Sequence, residues 1–257
     1  MNTTFTTPLD VRLACRENRL KHTVASGALS GYLCVNIVML DKDHAGDFIA
    51  FCQRNPRPCP LLGVVEAGRV DCPQFARELD LRTDLGSYDV IRHGVVTEQV
   101  RDVQHLFTDR TVTLLIGSSV SFDGLLREKG MASSFGPRLL LTNVQCEPAG
   151  VFHGPMVVTM RSFPPGLVDK AAAYTAHFPR CHGGPLVKND AASLGITDSD
   201  RDMIDRPIDV PPGHDRLYWA CGVTPTMAAK GAKLPLMIVH TPGHAMITDV
   251  PTEQLFE

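Results

Sequence analysis

Tyr32–Leu62 reads YLCVNIVMLDKDHAGDFIAFCQRNPRPCPLL. Its opening run, Tyr32–Leu40, is almost continuously apolar and rich in β-branched residues, which predicts a strand buried on both faces. From Asp43 to Arg54 the apolar residues fall at Ala45, Phe48, Ile49 and Cys52. That spacing marks one face of a helix, with Asp43 as the expected N-cap. In Cys52–Leu62 a proline then stands at every second position from Pro56 to Pro60. Proline lacks the N–H and clashes with the preceding turn, so this stretch reads as a stiff, irregular loop that fixes the directions of Arg54, Asn55 and Arg57. Rigid loops on a globular scaffold are where binding groups concentrate, and the guanidinium fork suits a carboxylate or phosphate. A small anionic substrate is the first expectation.

Working outward, strand and helix patterns alternate. Val11–Arg19 reads as a short amphipathic helix, Tyr88–Val100 as a hairpin turning at His93-Gly94, and Thr111–Ile116 as a second buried strand. Gly117-Ser118-Ser119 breaks that strand, and Phe122–Lys129 resumes as helix. Arg138–Val144 and Phe152–Arg161 read as strands, Leu167–His177 as a helix and Gly184–Lys188 as a third strand, the pattern of a small two-layer α+β unit. Asp198–Asp215 is acidic and proline-containing and is expected to wrap the surface. Tyr218–Val223, Leu236–His240 and Met246–Asp249 return to strand. The expected fold class is α/β. A mixed α/β core comes from 1–136 and 206–257, and a smaller two-layer α+β subdomain from 137–205.

Composition narrows the function classes. The 257 residues are 44% hydrophobic and 21% charged, the balance of a water-soluble globular protein. A net charge of −3, with no Lys/Arg-rich run, leaves no electrostatic footprint for nucleic acid. Apolar runs such as Thr113–Ile116 and Leu236–Val239 are far too short to span a membrane. The opening MNTTFTTPLD lacks the charged and apolar regions of a secretion signal, so a cytoplasmic location is expected. The eight cysteines include no CxxC pair, and they read as buried thiols packing as small hydrophobes. Nothing in the composition decides self-association, and a homo-oligomer stays open.

Seven segments stand in a fixed order along the chain: GYLCVNIVML (Gly31–Leu40), FCQRNPRPCPLL (Phe51–Leu62), DLRTDLGSYDVIRHG (Asp80–Gly94), LLIGSSVSFDGLL (Leu114–Leu126), GPMVVTMR (Gly154–Arg161), YWACGVTP (Tyr218–Pro225) and HTPGHAMITD (His240–Asp249). In these motifs the sequence resembles the D-glutamate cyclase family, also described as hydro-lyases, from about residue 10 to residue 250. The resemblance implies reversible loss of water between the amine and the side-chain carboxyl of D-glutamate, giving 5-oxo-D-proline. It also implies an α/β architecture with a smaller α+β subdomain, a small carboxylate or amino-acid substrate, and no metal or organic cofactor. Ser118 and Asp123 stand where the family pattern has Cys and Glu, Lys188 and Asn189 follow the HGGP run where it has a second His and Gly-Asp-Pro, and Thr226 replaces Gln. These departures keep two rivals in view: a diverged cyclase or dehydratase of another small carboxylate, and a non-catalytic binder of a small anion.

Closing a lactam from a carboxylate and an amine needs a carboxylate clamp, a group that moves protons, and donors for the tetrahedral oxyanion. Arg54, Arg82 and Arg161 are the clamp candidates, against the ordinary alternative that each pairs with a protein carboxylate. Asn55 could orient the same anion or tie loop carbonyls in an Asx-turn. Ser119 and Ser121, between a strand and a helix, are candidates for the oxyanion side or for N-capping. His182 before Gly183-Gly184, at an expected mobile position, Asp84 in the RTD run, and Cys221 in an expected strand are the proton-moving candidates, with Cys59 between two prolines as a further thiol. Thr224 at an expected helix start and His240 at a strand end complete the substrate-binding set. His240 and His244 have zinc-pair spacing, but Pro242-Gly243 between them reads as a turn, so no metal site is expected. The serines do not form a G-x-S-x-G elbow, which argues against a serine hydrolase.

Overall fold

The computed structural model describes residues 5–20, 28–197 and 201–257. In chain order its elements are α1 (Pro8–Arg16), β1 (Tyr32–Asp41), α2 (Lys42–Arg54), β2 (Leu61–Val65), β3 (Tyr88–Arg92), β4 (Val95–Val100), β5 (Thr111–Gly117), and α3 (Asp123–Glu128) after a 3-10 turn at Ser119–Phe122. There follow β6 (Arg138–Gln145), β7 (Pro155–Phe163), α4 (Val168–Ala176), β8 (Val187–Lys188), β9 (Asp215–Ala220), α5 (Thr224–Ala232), β10 (Met237–His240) and β11 (Met246–Pro251). The architecture is mixed α/β with two sheets, as expected.

The YLCVNIVML run is the central strand. On one side β1 pairs with β5 from Val35↔Gly117 to Asp41↔Thr111. On the other side its neighbour changes: β11 flanks Tyr32–Val35, and β10 flanks Val38–Leu40. The first sheet runs β2-β5-β1-β10-β3-β4, with β11 beside β1, and the second runs β6-β7-β9-β8. All of these pairings are antiparallel.

β1 is apolar throughout because it feeds two cores. Leu33, Val35, Ile37 and Met39 enter one cluster with Leu217 and Trp219 of β9, while Val38 and Leu40 enter the other with Tyr218 and Ala220. Both sheets therefore share both cores, and side-chain alternation along each strand decides which core receives which residue. Phe48 of α2 meets Phe152 edge-on with ring centroids 4.9 Å apart, which fastens α2 to the β6–β7 connection.

Several boundaries shift for local reasons. α1 begins at Pro8 rather than Val11, because Thr7 and Asp10 form a capping box and Pro8 suits the first helical position. The N-cap of α2 is Asp41, whose carboxylate accepts from the Asp43 N–H, so Asp43 sits inside the helix. α2 continues through Cys52 to Arg54 and β2 starts at Leu61, leaving the irregular stretch at 55–60. β9 ends at Ala220, which puts Cys221 in the turn before α5 and not in a strand. The second sheet takes β6, β7 and β8 from the 137–205 segment and inserts β9, from beyond it, between β7 and β8. Residues 201–215 lie at the surface as expected, and 198–200 fall outside the described residues. All eight cysteines are buried free thiols. Among the described residues, no helix is long and apolar enough to cross a membrane.

Candidate functional site

The change of neighbour along β1 falls at Asn36, and a cavity of about 500 Å³ opens there. Its inner wall carries Asn36, Ser118, Ser119, Asp123, Cys221 and His240. Asn36 sits mid-strand in β1, and the others arrive at element ends: Ser118 and Ser119 after β5, Asp123 at the start of α3, Cys221 after β9, and His240 at the end of β10. Two glycines make room for this. A Cβ at Gly222 would fall on the Asn36 amide, and one at Gly117 would fall on the Arg180 carbonyl.

Behind this wall stands Arg161, fully buried within β7. Its Nε donates to Asp123 Oδ1 at 2.8 Å and its Nη2 to Asp123 Oδ2 at 3.1 Å, the two-pronged fork that a guanidinium offers a carboxylate. Nη2 also reaches the Ser119 hydroxyl at 3.2 Å, and Nη1 has no partner. The guanidinium lies between Phe122 and Trp219, 5.2 and 5.1 Å from their ring centroids. Arg161 thus aims Asp123 into the cavity without itself lining it.

α3 carries Asp123, Leu126 and Arg127 into the cavity lining at helical i, i+3, i+4 spacing. Arg127 is exposed, and its guanidinium has no hydrogen bond or ion pair among the described residues. Ser118 precedes the 3-10 turn without capping it, so its hydroxyl faces the cavity unengaged. The Ser121 hydroxyl is engaged, accepting from the Cys34 N–H at 2.9 Å and donating to the Cys34 carbonyl at 3.2 Å. Neither Ser119 nor Ser121 is an N-cap.

Electrostatics make this a site of neutral acid–base groups around fixed charges. Burial, reinforced by His244 nearby, pushes His240 down to about 4, and its Nδ1 has no hydrogen-bond partner. Burial also pushes His182 down to about 4; its Nδ1 donates to the Arg57 carbonyl at 2.7 Å, which opposes the shift, and the Arg161 charge adds to it. Burial raises the Cys221 thiol above its ordinary range, against the smaller opposing effect of the Thr159 hydroxyl. Near neutral pH both imidazoles are uncharged and the thiol keeps its proton.

The remaining sequence candidates lie elsewhere. Arg54 donates to the Pro148 carbonyl, and Asn55 bonds the Phe51 and Glu147 carbonyls while accepting from the Glu147 N–H, all three at 2.8 Å. Arg57 donates to the Gly184 carbonyl. This stretch therefore ties α2 to the connections on either side of the second sheet. His182 is 1% exposed with φ 78°, a buried left-handed residue and not a mobile one, and it is not part of the cavity lining. Asp84 is buried beside α1, accepting from Arg16 Nε and Nη2 at 2.8 Å and from the Thr83 hydroxyl at 2.7 Å. Arg82 forks onto Asp80 in the same region. The Thr224 hydroxyl donates to the Cys221 carbonyl at 2.7 Å and accepts from the Val157 N–H at 3.1 Å, which fixes the turn holding Cys221. Cys59 is fully buried beside Cys52. Of the departure positions, Ser118 and Asp123 line the cavity, and Lys188 and Thr226 do not.

Among the lining residues not singled out from the sequence are Asn36, Arg127 and Arg206. Arg127 was within reach, because it stands one helical turn from Asp123 on a helix the pattern does predict. Arg206 comes from the surface segment, where it forks onto Asp202. His240 and His244 flank a turn closed by the His244 N–H on the Thr241 carbonyl, as read from Pro242-Gly243. Among the described residues, no three His, Cys, Asp or Glu side chains gather as a metal site.

Comparison with known proteins places this geometry in a family. A family model described as D-glutamate cyclase matches residues 112–249, the span from β5 to β11 that supplies most of the cavity. The chain is 41% identical over 253 residues to "Putative hydro-lyase YcsI" of Bacillus subtilis, covering 96% of this chain and 98% of that one. It is 41% identical over 230 residues to a "Putative hydro-lyase" of Jannaschia sp., covering 88% and 86%. A Thermoanaerobacter relative of the same description is 38% identical over 253 residues, covering 96% and 95%. A solved structure, a nitrogen repressor-like protein from Methanococcus jannaschii, aligns over 91% of this chain and 94% of its own at a TM-score of 0.39 and 9% identity. The chain belongs to the D-glutamate cyclase family.

Proposed function

We propose that this protein is a carbon–oxygen lyase that interconverts a small amino dicarboxylate and its lactam, with D-glutamate and 5-oxo-D-proline as the pair. One observation carries the reading. A free guanidinium (Arg127), a carboxylate aimed by a buried fork (Asp123) and a neutral imidazole with an unpartnered nitrogen (His240) meet in a single cavity. That is the donor and acceptor set an amino dicarboxylate asks for, and family membership supports the same chemistry.

Arg127 clamps the α-carboxylate, since it is the lining cation that no other group among the described residues holds. Asp123 attracts the substrate ammonium. His240 takes a proton from it, because a bound anion beside the ring favours the imidazolium that burial alone opposes. The freed amine attacks the side-chain carboxyl carbon, and the Ser118 hydroxyl and Cys221 thiol donate to the tetrahedral oxygen. One of the three ammonium protons stays on the lactam nitrogen. The other two leave on the departing oxygen as water, so His240 returns to its starting state. Positioning supplies much of the acceleration, since the attack is intramolecular and only the folded substrate conformer must be held.

The test is chiral mass spectrometry of purified protein incubated with D- and L-glutamate and with both 5-oxoprolines. Interconversion of the D pair supports the reading. Turnover of a different dicarboxylate would mark a diverged cyclase or dehydratase, and tight binding without turnover would move the assignment to a small-anion binder.

A further inference from the structure

The cavity is larger than its proposed substrate requires. A water molecule's share of liquid volume is about 30 Å³, so glutamate, taken at one such share per heavy atom, fills at most roughly 300 Å³. The cavity measures about 500 Å³, within the roughly 300–1,000 Å³ range of sites that house larger ligands. Much of the remaining lining is apolar. Leu126, Phe135, Leu139 and Ile204 line the same cavity as Ser118, Asp123 and His240 and make up its apolar shelf.

This shelf is built. Asp202 accepts from the Leu139 N–H at 3.1 Å, and the Met203 N–H donates to the Leu139 carbonyl at 2.9 Å. Arg206 bonds both Asp202 and the Pro137 carbonyl. Three side-chain and main-chain ties thus fasten the segment carrying Ile204 to the edge of β6, and the Arg206–Asp202 pair braces it from within. Ile204 is nevertheless 44% exposed, an isoleucine held at a cavity mouth where glutamate has nothing apolar to offer it.

The amine must stay free to attack, and the α-carboxylate must stay charged to meet Arg127. An apolar group on the side-chain carboxyl leaves both intact, and it is then the leaving group. We propose that the site also cyclises γ-glutamyl amides of apolar amines, with the amine's hydrocarbon or ring on the Leu126–Phe135–Leu139–Ile204 shelf. The inference rests on the placement of the reacting groups given under Proposed function. The α-nitrogen forms a bond to the amide carbon and the amide C–N bond breaks. One ammonium proton stays on the lactam nitrogen and two pass to the departing nitrogen, which leaves as an alkylammonium; an aryl amine leaves neutral and releases the extra proton to solvent. No water is consumed or formed.

The experiment compares the D and L forms of γ-glutamyl-p-nitroanilide, γ-glutamyl methylamide and free glutamate. Released p-nitroaniline is followed by absorbance, the methylamide reaction by released methylamine, and 5-oxoproline by chiral mass spectrometry. The expected result is release of p-nitroaniline with stoichiometric 5-oxoproline; because the anilide also carries the better leaving group, the shelf is read from how its variants change the anilide-to-methylamide kcat/KM ratio and not from the ratio itself. Ile204→Ser and Phe135→Ala should each shrink the anilide-to-methylamide ratio several-fold. An anilide-to-methylamide ratio unchanged in both variants, or cyclisation of free glutamate with no aniline released, overturns this inference and leaves the lyase reading standing. No 5-oxoproline from any of the compounds overturns both.

Discussion

The loop at 55–60 and the turn-and-helix segment at 118–127 carry similar chemistry and use it in opposite ways. In the first, Arg54, Asn55 and Arg57 all reach protein carbonyls, and the Arg57 carbonyl in turn holds His182. In the second, Ser118 and Arg127 face a cavity with no partner among the described residues, beside the His240 ring, whose buried Nδ1 is also unpartnered. Buried polar groups in folded proteins are nearly always satisfied. Groups already satisfied by the chain hold the chain together, and groups left open around a cavity are disposed toward a ligand. Possession of an arginine and polar side chains does not separate the two regions. The state of their hydrogen bonds does.

Removing the charge that links the wall to its buried support is the strongest challenge to this contrast. Asp123→Asn leaves Arg161 fully buried with no counter-charge and with Nη1 already unpartnered. Breaking a buried pair from one side costs about 3–5 kcal/mol, less here because Asp123 is partly exposed. If Asp123 also steers the ammonium, kcat should fall roughly 10²–10⁴-fold. Urea unfolding and turnover measured on the same preparation read the two effects. A destabilised variant with normal kcat would make Asp123 a structural partner only and erase the difference between the regions.

Acid should reveal the two buried histidines next. Both are held down to about 4 from an unfolded value near 6.5, and at 1% and 4% exposure they are shielded from solvent. Between those values the unfolded chain binds more protons than the folded one. Stability is therefore complete above about pH 6.5 and is lost as pH falls toward 4. At about 1.4 kcal/mol per unit, each histidine accounts for roughly 3 kcal/mol. Urea midpoints measured from pH 7.5 to 4.5 should fall steeply below pH 6.5 in the wild type and less steeply in His182→Gln. A flat profile would mean the rings are not buried as described. The same pair sharpens the contrast, since anion binding in the cavity should lift His240 and leave His182, tied to Arg57, where it is.

Local pattern made much of this fold legible. The apolar run of β1, the hairpin at His93-Gly94 and the mid-chain strands each declare themselves within a few residues, because period and turn chemistry are short-range. What could not be read is set by distant parts of the chain. β9 leaves the C-terminal strands to insert between β7 and β8, and the carbonyls that engage Arg54 and Arg57 lie 94 and 127 residues away. The cavity was half legible for the same reason. Ser119 and His240 stand at element ends that the pattern predicts, Cys221 falls just past the end of a strand expected to contain it, and all three reach the cavity. Arg127 has ordinary neighbours in sequence, and its distinction is the absence of partners, which only the fold determines.

Arg127→Ala and Arg54→Ala form the matched pair that tests the comparison most directly, with the smallest expected effects. Losing an unengaged, exposed arginine should change stability by no more than about 0.5 kcal/mol. If Arg127 clamps the substrate, KM should rise about 10- to 100-fold with a smaller change in kcat, the signature of a group that binds ground and transition states alike. Arg54→Ala removes an exposed donor from a main-chain carbonyl and should cost about 1 kcal/mol of stability with KM unchanged. Arg127→Lys adds a refinement, since a point charge recovers part of the affinity but not the two-pronged geometry. The reverse pattern, with KM moved by Arg54 and not by Arg127, would place the clamp on the proline-rich loop and require the ligand to lie between α2 and the second sheet. Because the two arginines differ in what they already bind and not in their chemistry, that single inversion would also remove hydrogen-bond state as the criterion separating scaffold from site in this protein.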